Sequence, residues 1–83
     1  MSNIRIPENL VFERECMDND FKIYEYITKQ ISLYQKCPGY TVHLVGSALV
    51  RILQIPEYQI KISCNWLINK EYLNDKDFCI IWE

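Results

Sequence analysis

Four cysteines and one histidine are the side chains in this sequence best suited to chemistry: Cys16, Cys37, Cys64, Cys79 and His43. A thiolate served by an imidazole is a strong nucleophile, and the same groups ligate zinc. Their placement favours neither use. The cysteines are separated by 20, 26 and 14 residues, whereas zinc ligands commonly arrive as close pairs. His43 falls between Val42 and Leu44 in a stretch expected to be extended, where it faces solvent or makes one structural hydrogen bond. Cys64 and Cys79 occupy strand-like positions and read as small apolar core groups. A reactive thiol needs an accessible, electropositive setting, and none is evident. No catalytic residue, metal ligand set or cofactor is therefore expected, and the chain reads as a non-enzyme.

Other candidates fail on the same kind of test. Glu13, Glu15, Asp18 and Asp20 form an acidic cluster, but acids just ahead of a helix satisfy its first amides and its dipole. Gly46-Ser47, between a strand and a helix, resembles the step that opens the nucleotidyltransferase active site. The following segment, Gln59 to Ser63, carries no acid to hold magnesium, so the dipeptide reads as a turn with Ser47 capping a helix. With glycine only at positions 39 and 46, no phosphate-cradling loop can form. Eleven aromatic residues could stack bases, but Lys61, Lys70 and Lys76 are offset by Asp75, Asp77 and Glu83. The whole chain carries 9 basic and 11 acidic groups, net -2, spread evenly over both halves. No basic field exists to attract a phosphate backbone.

The elements that position these residues follow from periodicity. Residues 1–8 are expected to be an irregular arm and Leu10 to Arg14 a short strand. Phe21, Tyr24, Ile27, Ile31 and Tyr34 recur at helical spacing, with Asp18, Asn19 and Asp20 ahead of them, which predicts a helix over 19–36. Cys37-Pro38-Gly39 ends it. Tyr40 to Val45 reads as a strand, and 48–54 as a short buried helix stopped by Pro56. Ile60, Ile62, Cys64, Trp66 and Ile68 alternate without a miss, which predicts a strand, with a helical turn over 66–73 as the competing assignment. Phe78, Ile80 and Trp82 alternate likewise. The expected register pairs Ile68 with Phe78, Trp66 with Ile80 and Cys64 with Trp82 in an antiparallel hairpin. Cys64 and Cys79 then point to opposite faces and cannot be bridged within it.

The expected fold is α+β, one compact domain over 1–83. Its order is β-α-β-α-β-β, a mainly antiparallel sheet of three or four strands, with one long helix on one face and a second short helix. The start of the chain lacks the apolar core of a signal peptide, and the most apolar stretch, Val42 to Val50, is far shorter than the ~20 residues of a membrane span. A soluble cytoplasmic protein with reduced thiols is expected.

One feature exceeds what folding requires. The last strand is apolar on both faces, with Cys79 and Ile81 opposite Phe78, Ile80 and Trp82, and Leu67 on the same side as Cys79 and Ile81. Either the short helix covers that second face or another protein does. Leu67, Tyr72, Cys79 and Ile81 are the candidate partner-binding residues, the partner being another protein or a second copy. Twelve Ile against one Ala, with frequent Asn, Lys and Tyr, mark an A/T-rich gene of bacterial, phage or plasmid type. The expected function is a protein–protein interaction module, an accessory or inhibitor protein of phage or mobile-element origin that covers a surface of a larger host protein such as a defence enzyme. A nucleic-acid-associated protein and a small thiol-dependent enzyme are the alternatives.

Overall fold

A computed structural model describes residues 18–82. The arm over 1–8, the strand over 10–14 and the acids Glu13 and Glu15 lie outside the described residues. The first helix, α1, spans Asp18–Tyr34 and opens on the acids Asp18 and Asp20, which suit its N-terminal dipole. Its core face is turned slightly from the expected stripe. Ile23, Tyr24 and Ile27 are buried, Phe21 and Ile31 are half-buried, and Tyr34 is exposed. The chain then reverses at Cys37, where the Tyr40 N–H donates to the Cys37 carbonyl at 3.1 Å. Pro38 and Gly39, the latter at φ 88°, supply the conformations of a type II turn.

Strand β1, Val42–Val45, passes directly into helix α2, Gly46–Leu53. Ser47 does not cap α2 as expected. The cap position is Val45, no side chain bonds there, and Ser47 is exposed. At the other end Gln54 adopts a left-handed conformation (φ 57°), and its N–H donates to the Val50 carbonyl at 2.9 Å.

The largest departure from expectation is residues 60–68, which form no strand. They lie within helix α3, Glu57–Asn69. Alternating apolar residues also contain helical spacings, and here Ile60, Ser63, Cys64 and Leu67 make the buried stripe while Ile62 is 59% exposed. Pro56 sets the start, and Glu57 pairs with Lys61 one turn later at 2.8 Å. The end is a Schellman motif. The Tyr72 N–H donates to the Leu67 carbonyl at 2.9 Å and the Glu71 N–H to the Ile68 carbonyl at 3.0 Å.

Strand β2, Phe78–Ile81, therefore has no hairpin partner, and the three expected pairs do not form. It lies parallel to β1 instead, in the register Val42↔Phe78, His43↔Cys79, Leu44↔Ile80 and Val45↔Ile81. Once α2 and α3 form the connection, a parallel return becomes possible, because such crossovers carry helices. Two short bonds fix where the strands begin: the Val42 N–H donates to the Asp77 carbonyl at 2.9 Å and the Thr41 hydroxyl to the Lys76 carbonyl at 2.9 Å. Gln35 reinforces this corner by donating to the Tyr40 carbonyl at 3.0 Å and the Asp77 carboxylate at 3.2 Å. The described fold is thus three helices beside a two-stranded parallel sheet, not a mainly antiparallel sheet of three or four strands. The core lies between the helices and one sheet face, where Val42, Leu44 and Phe78 meet Ile23, Ile27, Leu49, Ile60 and Leu67. No described helix is long and apolar enough to cross a membrane.

Candidate interaction surface

The parallel register divides the sheet into two faces. Val42, Leu44 and Phe78 point inward and are buried, with Ile80 half-buried beside them. His43 and Cys79 form a register pair on the opposite face, and Val45 and Ile81 form the next. All four are exposed, with Val45 at 48% and Ile81 at 47%. No element among the described residues covers them. Parallel sheets are ordinarily covered on both faces, so this face is unusual for its strand direction.

The four expected partner-binding residues are dispersed. Cys79 and Ile81 lie on the open face, on the same side of the same strand. Leu67 is 0% exposed and belongs to the core stripe of α3. Tyr72 is half-buried past the end of α3, with its ring 6.2 Å from that of Trp66. Val45 and His43 complete the open face, and the alternation Val42-His43-Leu44-Val45 carried that information once the face of one strand was known. A second apolar surface came only with the helical assignment of α3. Tyr58, Ile62 and Trp66 follow one another at four-residue spacing, with Tyr58 66% exposed.

The chemical candidates also find their places. His43 and Cys79 are adjacent across the sheet, a juxtaposition that spacing alone could not show, but no hydrogen bond joins them among the described residues. Cys64 is buried, and desolvation pushes its thiol up to about 11, so it stays protonated and unreactive at neutral pH. Cys37 is exposed in the turn after α1. Among the described residues no three His, Cys, Asp or Glu side chains come together in a metal-binding group. Asp18 and Asp20, the described members of the acidic cluster, sit in the first turn of α1.

A cleft of about 320 Å³ separates α3 from β2. Cys64, Ile68, Phe78, Ile80 and Trp82 make it largely apolar, and Lys61, Asn65 and Asp75 form its polar edge. The Lys61 ammonium lies 5.2 Å from the centre of the Trp82 ring. No known family model, curated protein or solved structure matches the chain.

Proposed function

We propose that the chain is a non-enzymatic protein–protein interaction module whose docking surface is the open sheet face bearing His43, Val45, Cys79 and Ile81. The observation that carries this reading is the exposure of Val45 and Ile81 on the same face of a parallel sheet. Two large apolar residues, side by side across two strands and covered by no described element, lose contact with water when a second protein packs on them. Balanced charge and a residue usage rich in Ile, Asn, Lys and Tyr, the pattern of A/T-rich genes, support an accessory or inhibitor protein of phage or mobile-element origin, working in the cytoplasm by covering a surface of a larger host protein such as a defence enzyme. The juxtaposition of His43 and Cys79 favours one second reading, a small thiol-dependent enzyme.

Affinity capture from a bacterial host, with wild type beside Ile81→Asp, tests the proposal. A prey retained by wild type and lost by the folded variant is the expected result. A prey held equally by both excludes the open face as the docking surface. Activity abolished by alkylating Cys79 and by His43→Ala favours the thiol reading instead.

A further inference from the structure

The outer edge of β2 is a second surface, separate from the open face, and its chemistry is set by the main chain. In a parallel ladder a bonding residue turns both its N–H and C=O to one neighbour, and the next residue turns both away. The bond from Val42 N–H to the Asp77 carbonyl, with the register, assigns Asp77, Cys79 and Ile81 to the β1 side. Phe78 and Ile80 therefore turn their N–H and C=O groups to the outer edge, where no strand pairs with them among the described residues.

Beside this edge runs the cleft. α3 contributes Lys61, Cys64, Asn65 and Ile68, one row at helical spacing. β2 contributes Phe78 and Ile80, its inward residues, and Trp82 directly after it continues the row. Helix and strand run in opposite directions, so Ile68 and Asp75 mark one end, and Lys61 and Trp82 the other. The ends differ in charge. Lys61 already faces Glu57 at 2.8 Å. At the far end the cleft continues into an adjoining hollow that shares Ile68 and Asp75 and adds Glu71.

We propose that this edge and cleft receive an extended peptide segment of a partner protein, paired as a strand with Phe78 and Ile80. Alternate apolar side chains of the peptide enter the cleft, and a Lys or Arg lies at the Asp75 end. Main-chain hydrogen bonds supply affinity in such strand addition, and the pockets for alternate side chains supply selectivity. The volume admits one or two large side chains; a second copy that paired its own β2 edge here would self-associate without peptide, and that result overturns the proposal.

The test uses isotope-labelled full-length protein and two blocked hexapeptides of alternating Val and Thr, one with Lys first and one with Lys last. One of the two is expected to bind saturably, shifting the amides of Phe78 and Ile80 and protecting them from exchange while leaving His43 and Val45 unmoved. Replacing its Lys with Glu weakens binding about fivefold. Asp75→Lys reverses that preference. Asn65→Trp, at an exposed position on the cleft edge, lowers affinity at least about tenfold in a chain whose spectrum stays folded. Equal binding by the Asn65→Trp chain overturns the proposal, as do shifts confined to β1 and the absence of saturation at millimolar peptide. Contacts from Leu10 or Phe12 to Ile80 in the peptide-free protein also overturn it, because the chain's own segment is then the occupant.

Discussion

The indole of Trp82 rests against Gly46 so closely that a Cβ on Gly46 would overlap the ring carbons. Gly46 is the first residue of α2, and Trp82 directly follows β2, so this contact locks the far ends of both strands together. The glycine is required here for space, not for a left-handed turn.

Gly46→Ala is therefore expected to destabilise the fold. Alanine at this first helical position gains less than the roughly 1 kcal/mol that separates it from glycine in a helix interior, whereas overpacking against the ring costs about 1–3 kcal/mol and requires Trp82 to move. The loss is expected to vanish in a Trp82→Leu background, where the propensity gain remains. Urea midpoints of the four chains in this cycle give the coupling. Additive effects would mean that the two residues are not in contact.

Leu67 and Ile81 separate core from surface. Leu67→Ala empties a site with no solvent exposure and is expected to cost about 2–5 kcal/mol. Ile81→Asp changes a position only 47% exposed within β2 and is expected to cost about 1 kcal/mol in the isolated protein, well below Leu67→Ala. Comparable losses from both substitutions in urea titrations would show that Ile81 is covered.

How much of this was legible in sequence depends on period and on contact range. α1, β1 and α2 follow from local signals: a helical stripe, a β-branched run, and the stops at Pro38, Gly39 and Pro56. The segment 60–68 satisfies two periods at once, since Ile60, Cys64 and Ile68 lie four apart within a perfect alternation. Tertiary burial of Ser63 and Leu67 decides for the helix. Ser63 is tolerated there because the Gln59 side chain donates to its hydroxyl at 3.2 Å. The facing of Cys79 and Ile81 away from Phe78 was legible, because strand alternation survives any choice of partner. The parallel pairing with β1, and with it the meeting of His43 and Cys79, was not, because no local signal encodes a contact 36 residues away in sequence.

Glu71 offers a stabilising change. It occupies the left-handed position of the Schellman motif that ends α3, at φ 66°. That conformation costs an L-residue roughly 1–2 kcal/mol. Glu71→Gly relieves it, while the greater freedom of glycine in the unfolded chain takes back about 0.4–1 kcal/mol. A net gain of about 0.5–1 kcal/mol is expected, read as a higher urea midpoint. A lower midpoint would place Glu71 outside the left-handed region.

Thiol labelling should follow exposure. Cys37 and Cys79 are exposed and are expected to react with iodoacetamide in the native protein, whereas Cys64 reacts only after denaturation. Peptide mapping by mass spectrometry resolves these sites. Native labelling of Cys64 at the rate of Cys37 would contradict its burial, at 7% exposure, on the floor of the cleft between α3 and β2.

Alkaline pH should weaken the fold through the same thiol. Burial raises Cys64 from 9.0 to about 11, so between those values the unfolded chain loses a proton that the folded chain keeps. The unfolded state then binds fewer protons, and stability falls as pH rises through this window. A shift of this size corresponds to about 2–3 kcal/mol once pH exceeds the folded value. Tyr24, whose phenol burial raises above 10.0, acts in the same direction toward the upper end. Cys64→Ala removes the thiol contribution and leaves that of Tyr24, so its stability should decline less steeply, although it starts lower at neutral pH because a buried side chain has been trimmed. Urea midpoints of both chains measured from neutral pH to about pH 10.5 decide the matter. Parallel decline of the two curves would mean that the Cys64 thiol ionises equally well in the folded and unfolded chains.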